Sequence, residues 1–193
     1  MKFLWIILWL ALACACGERQ EVRQSKTTPQ IETPQTVQTT PEAPKLLGEW
    51  STTIINKDAA RVNNITLAVG AVNGKRLLSG EVFSFNETIG KRTAEKGYQE
   101  ADMFVGEETV KAYGGGVCQL SGTMYMAVRQ AGLSVTERHA HSQKVAYAAE
   151  GEDACVNYGT KDFCFVNTAE KTIEVQAYTD GSSVSVRIYE CDV

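Results

Sequence analysis

Apolar residues recur along this chain in three patterns, and each predicts a different kind of segment. Phe3 to Ala13 is a short unbroken apolar run, whereas Gly17 to Leu46 is almost devoid of large apolar side chains. Helical spacing then appears at Val62, Ile65, Leu67, Ala68 and Val69, which predicts a helix from an N-cap at Asp58 through Val72, closed by Asn73-Gly74. A second helical run begins at Leu120 and continues through Met124, Ala127, Val128 and Ala131 until Gly132 stops it. Between the two, Glu81-Val82-Phe83-Ser84-Phe85 alternates like a strand, and Leu133 to His141 is β-like. The tail is strand-rich, over Ala154–Tyr158, Asp162–Val166, Thr172–Tyr178 and Ser182–Tyr189, with breaks at Tyr158-Gly159, Asn167-Thr168 and Asp180-Gly181. This is an α+β pattern in a single domain over residues 47–193: a central helix packed on an antiparallel sheet, with helical material before it. That length suffices for one core.

The N-terminus predicts a destination. Met1-Lys2 and the apolar run are too short to span a bilayer comfortably and read as a signal segment over residues 1–16. Leu12-Ala13-Cys14 and Ala13-Cys14-Ala15-Cys16 both resemble bacterial lipoprotein processing sites, with lipid carried on Cys14 or Cys16. Ordinary signal-peptidase cleavage and a retained apolar anchor are the alternatives. Residues 17–46 hold all four prolines, at 29, 34, 41 and 44, and are expected to form a disordered tether. As a flexible coil, such a tether spans roughly 30 Å. The expectation is a domain secreted across the cytoplasmic membrane and held beneath the cell wall.

A formal net charge of −4 and the absence of any basic cluster argue against nucleic acid as a partner. No internal repeat is present. The chemistry concentrates at Gly114-Gly115-Gly116-Val117-Cys118-Gln119-Leu120-Ser121, where a glycine turn delivers a cysteine to the first turn of a helix. The helix dipole and unsatisfied amides there favour thiolate over thiol. Glu137-Arg138-His139-Ala140-His141-Ser142 follows with the only two histidines of the chain. A thiol and an imidazole suggest nucleophilic catalysis; a buried structural cysteine is the bland reading. Cys118, His139 or His141 and another cysteine could ligate zinc, but no Cys-x-x-Cys or His-x-x-x-His spacing supports that, so no metal and no cofactor are expected.

These residues also carry a resemblance. Gly80 to Asn86, Gly90, Arg92 and Gly97-Tyr98 resemble the front of a VanW-type domain. Gly114 to Gln119, Glu137-Arg138, His141-Ser142, Asp153-Ala154, Asp162-Phe163 and Asn167 resemble its remainder, and Arg61 and Asn64 match its preceding helix. The resemblance covers nearly all of the chain from about Trp50 onward. It implies peptidoglycan L,D-transpeptidase activity with Cys118 as nucleophile and peptidoglycan stem peptides as donor and acceptor. The chain departs from the family pattern at Ser79, where proline is usual, and at Gly122, where a small hydroxyl residue is usual. Cys155 and Cys164 stand in place of threonine and a polar residue.

Such a reaction needs a base, a proton donor for the leaving amine and donors for the oxyanion. His141 matches the family's His-Ser pair, and strand periodicity places His139 and His141 on one face with Glu137. Asp153 is the candidate to orient the imidazole, with a turn-capping carboxylate as its alternative. Backbone amides at Gly116, Val117 or Cys118 are the natural oxyanion donors, and Gln119 offers a side-chain donor. Arg138, Arg92 and Arg61 are candidates to hold a substrate carboxylate, against ordinary ion pairs. Cys155, Cys164 and Cys191 are candidates for one disulfide in an oxidising compartment; the sequence does not choose the pair, and geometry could forbid all of them. The asparagine sequons at Asn64 and Asn86 are treated as chance. Two other functions stay open: a cysteine peptidase or amidase acting on cell-wall peptide, and a non-catalytic peptidoglycan-binding lipoprotein.

Overall fold

The structure is a computed structural model that describes residues 43–105 and 108–192. The signal, lipid-anchor and tether expectations for residues 1–42, including Cys14 and Cys16, lie outside the described residues. The elements run β1 (Lys45–Thr53), α1 (Ala59–Val72), β2 (Lys75–Leu77), β3 (Val82–Ser84), α2 (Phe85–Ile89), β4 (Glu100–Val105), β5 (Glu108–Tyr113), α3 (Val117–Gln130), β6 (Ser134–Glu137), β7 (Cys164–Val166), β8 (Thr172–Thr179) and β9 (Ser183–Cys191). The fold is α+β with antiparallel sheets, as the patterning predicts.

The main sheet has the order β1-β9-β8-β2. Its inner face follows from strict alternation, with Ile173, Val175 and Ala177 on β8 and Val184, Val186 and Ile188 on β9 all buried. Helix α3 lies on β1 and β9, and α1 lies on β8 and against α3, so two helices cover that face. A second sheet, β3-β7-β6, buries Phe83 against Phe165 with ring centroids 5.0 Å apart. Strands β4 and β5 pair as a separate ribbon in contact with α1.

Helix α1 starts at the expected cap, where the Asp58 carboxylate accepts from the Arg61 amide at 3.2 Å. Asn64 is fully buried on this helix and is satisfied on both sides. Its amide donates to the Gln99 and Gly115 carbonyls at 2.9 and 3.0 Å, and its carbonyl accepts from the Gln99 amide at 2.8 Å. One side chain thus ties α1 to the ribbon and to the glycine turn before α3.

Three expectations need correction. Lys45 and Leu46 belong to β1 rather than to a tether, and the whole of β1 lacks an apolar alternation. Its buried positions are Gly48, where α3 backbone leaves no room for a side chain, and Thr52, which bonds Thr123 Oγ1 at 2.8 Å, with Trp50 packed partly buried between them. Ala154–Tyr158 is not a strand. Its backbone is spent on side chains and loops instead: Cys155 N–H donates to the His139 carbonyl at 2.7 Å, and Ala154 O accepts from Ser121 Oγ at 2.6 Å. The β-like run after Leu133 ends at Glu137, so both histidines lie beyond β6.

A methyl group on Gly48 would sit 2.5 Å from the Ala127 carbonyl oxygen and 2.6 Å from the Ala131 nitrogen, both backbone atoms. Gly48→Ala is therefore expected to lower stability by about 1–3 kcal/mol in urea titrations. Gly70→Ala, on the exposed side of α1 with nothing within 4 Å, is expected to raise it by up to about 1 kcal/mol.

Candidate active site

The glycine turn builds the site. Gly116 is the N-cap of α3 with φ +104°, a conformation that disfavours any side chain. Gly115 lets the ribbon approach, since a Cβ there would meet the Ala101 carbonyl oxygen at 2.5 Å. Cys118 then falls in the first turn of α3, half-buried. The segment after Asp153 passes directly over it, and the Val156 amide and carbonyl lie 3.5 and 3.4 Å from Sγ. Ser121 Oγ bonds the Ala154 carbonyl, and the Tyr147 hydroxyl donates to the Cys118 carbonyl at 3.1 Å.

Chemistry at the sulfur follows from these neighbours. A hydrogen bond from Cys155 lowers the Cys118 pKa, burial opposes, and the Val156 amide and the Arg92 and Arg61 charges help, bringing it to about 7. Cys155, beside that thiolate and partly buried, is pushed up to about 12. The first proton to leave this pair comes from Cys118, which has the helix N-terminus and both arginines. Cys155 keeps its proton and donates.

His141 and Asp153 meet as a pair. Asp153 Oδ2 accepts from the His141 backbone amide at 2.7 Å and contacts Nδ1 at 2.6 Å. Burial works against the imidazolium, but hydrogen bonds to Cys155 and Asp153 outweigh it and the His141 pKa rises. Burial also works against the Asp153 carboxylate, and bonds from His141 with the charge of Arg138 hold it below its usual value. The sulfurs of Cys118 and Cys155 and a ring nitrogen of His141 all lie within 4.8 Å of one another.

Other expected site residues are placed differently. His139 pairs with Glu137 at 2.9 Å and does not join His141, because the strand that would align them ends at Glu137. Arg138 is committed to Asp153, with Nη2 on Oδ1 and Nε on the backbone carbonyl, both at 2.7 Å, and its guanidinium stacks on Tyr125. It positions the carboxylate rather than offering itself to substrate. The Gln119 side chain is buried and occupied: Nε2 donates to Thr52 Oγ1 and the Thr53 carbonyl, and Oε1 accepts from Arg61 Nη2. The Val117 amide is used on the Gly114 carbonyl, which narrows the oxyanion expectation to the Gly116 and Cys118 amides. Arg92 bonds Asn86 Oδ1 and the Gly90 carbonyl beside Cys118. Arg61 keeps a buried Nε with no partner. Of the open disulfide alternatives the structure holds none: Cys155 turns to Cys118, Cys164 faces Glu137, and Cys191 faces the Thr172 carbonyl, all as free thiols.

Two clefts open on this cluster. The larger, about 490 Å³, contains Cys118, His141 and Arg61 and is walled by Met103 and Phe104 of the ribbon. The smaller, about 170 Å³, contains Arg92 and Tyr113. Cys118, Val156, Met103 and Asn157 line both. Sequence reasoning missed Tyr147, the Val156 amide, the ribbon wall and the role of Cys155. For Cys155 the one available signal was its place two residues after Asp153.

The chain belongs to the VanW-like protein family, whose model matches residues 60–189. It is 37% identical over 147 residues to the uncharacterized protein YoaR of Bacillus subtilis (strain 168), covering 76% of this chain and 48% of that protein. It is 22% identical over 134 residues to the vancomycin B-type resistance protein VanW of Enterococcus faecalis (strain ATCC 700802 / V583), covering 67% and 49%. The chain thus spans about half the length of these curated relatives. No solved structure matches it at a significant level.

The electrostatics make a pH prediction. Alkylation of Cys118 by iodoacetamide is expected to rise with pH and reach half its plateau near pH 7, not near the ordinary value of 9.0. Cys155→Ala removes the largest stabilising bond to the thiolate and is expected to move that midpoint upward. Peptide mapping by mass spectrometry reads both.

Proposed function

We propose that this VanW-like protein is a peptidoglycan L,D-transpeptidase that forms 3→3 cross-links through a thioester on Cys118. One observation supports transfer over hydrolysis: two adjoining clefts, of about 490 and 170 Å³, are both lined by Cys118. A transpeptidase must bring two stem peptides to one nucleophile, whereas a hydrolase needs one peptide and water.

In this reading the donor stem lies in the larger cleft with its carboxylate toward the Arg61 guanidinium, which lines it. The Cys118 thiolate attacks the carbonyl between the third stem residue and the terminal D-alanine. The Gly116 and Cys118 amides stabilise the oxyanion at the start of α3. His141, as imidazolium held by Asp153, gives its proton to the departing D-alanine amine. The acceptor amine enters along the smaller cleft, attacks the thioester and returns a proton to His141. A new amide forms, and the thiolate is restored. Arg138 fixes the Asp153 carboxylate, and Tyr147 fixes the turn that carries the sulfur.

The setting proposed for this reaction is the outer side of a bacterial cytoplasmic membrane. A lipid on Cys14 or Cys16 and a tether that ends before β1 would let the catalytic domain reach the wall. No cofactor takes part in the proposed steps.

Full-length protein in detergent, wild type, Cys118→Ala and His141→Ala, is to be incubated with disaccharide tetrapeptide and analysed by mass spectrometry. A cross-linked dimer lacking one D-alanine is expected from wild type and none from Cys118→Ala. With His141→Ala the rate is expected to fall by about 10²–10⁴-fold. Tripeptide without dimer would instead establish hydrolysis, and unchanged substrate from folded wild type would overturn the catalytic reading.

A further inference from the structure

Acyl transfer requires one sulfur, and this site has two. Cys155 lies within 4.8 Å of both the Cys118 sulfur and the His141 ring nitrogen, and all three are at least half withdrawn from solvent. Tetrahedral zinc with thiolate and imidazole ligands places its donor atoms about 3.5–3.8 Å apart, as follows from bond lengths of about 2.3 and 2.0–2.1 Å. The surroundings also match a metal site. Asp153 holds His141 through Nδ1, which leaves Nε2 for a ligand and supplies the carboxylate that orients a ligating imidazole. The Val156 amide points at the Cys118 sulfur, and the larger cleft gives a fourth position to water.

We propose that Cys118, Cys155 and His141 bind one thiophilic divalent cation of the Zn²⁺ class, and that the bound metal withholds the nucleophile from acyl transfer. The cation takes two thiolates and a neutral imidazole, and the displaced protons pass to solvent. Only the second half, inhibition, rests on the transpeptidase reading. Metal and acyl group compete for one sulfur, so occupancy by one excludes the other.

The test titrates reduced, chelator-treated full chain in detergent with Co²⁺ under nitrogen, with thiols counted before and after. One equivalent is expected to give thiolate-to-cobalt charge-transfer absorption and tetrahedral visible bands, which Zn²⁺ displaces. Cys118→Ser and Cys155→Ser are each expected to lose these bands, Asp153→Asn to weaken binding by about 10–100-fold, and Cys164→Ser to leave it unchanged. In wild type alone, one equivalent of Zn²⁺ is expected to block alkylation of Cys118 and a chelator to restore it. Absent bands with reduced thiols, bands that survive Cys155→Ser, or loss of two thiols to a Cys118–Cys155 disulfide would each overturn the site. Cross-linking that continues in the zinc-loaded protein would overturn the inhibition. A chain that binds cobalt yet never cross-links, even when metal-free, would leave the site standing and sink the transpeptidase reading instead.

Discussion

Everything at this site depends on one contact: the first turn of α3 seated beneath the backbone of Asp153 to Val156. Ser121 makes it by a hydrogen bond to the Ala154 carbonyl, the Cys118 sulfur completes it between the Val156 amide and carbonyl, and Tyr147 braces the same turn through the Cys118 carbonyl. At Gly122 the Ala154 nitrogen and the Tyr147 ring both lie 3.4 Å from where a Cβ would stand, at the edge of ordinary contact, so a side chain there would be close to both. Because the segment serves α3, it forfeits a place in a sheet, and its side chains are free to approach the sulfur.

Charge then distributes along a short chain of groups. Arg138 lies against Asp153, Asp153 against His141, and His141 and Cys155 beside Cys118. Arg138 is three-quarters buried and Asp153 nearly so completely, so these bonds act in a medium that screens them less than water does. The signs define a pH window. Asp153 titrates below its usual value, so its contribution to stability is complete above about pH 3.8 and is lost as pH falls through the depressed value. His141 titrates above its usual value, so its contribution is complete below about pH 6.5 and is lost as pH rises through the raised value. Between those limits the pair is intact as carboxylate and imidazolium.

Much of the fold was legible because hydrophobic period reports burial. Strands β8 and β9 alternate strictly, α1 begins at Asp58, and α3 starts where the glycines end. Strand β1 is hard to read because its buried positions are Gly48 and Thr52, neither of which reads as core, with Trp50 alone supplying an apolar side chain between them. The β4–β5 ribbon is hard to read because its inner face, Ala101, Met103, Val110 and Ala112, is interrupted by the exposed apolar Phe104 and Tyr113, which blurs the alternation. At the site, Cys118, His141 and Asp153 come together in the structure, while His139 does not. Strand periodicity aligned the two histidines only as long as β6 was assumed to continue past Glu137. The engagement of Gln119 and Arg138 is hidden from sequence for a shared reason: a polar side chain near the cysteine looks available until its partners across the fold are known. Thr52 and Thr53 are distant in sequence from Gln119, and Asp153 is fifteen residues from Arg138.

The central claim is that Cys118 carries the acyl group. Its most direct test is intact-protein mass spectrometry of full-length protein quenched in acid during turnover of the tetrapeptide donor without acceptor, followed by peptide mapping. The account predicts a hydroxylamine-labile adduct of donor minus D-alanine on Cys118 and on no other cysteine. An adduct on Cys155, or no adduct from protein that demonstrably consumes the donor, would contradict it.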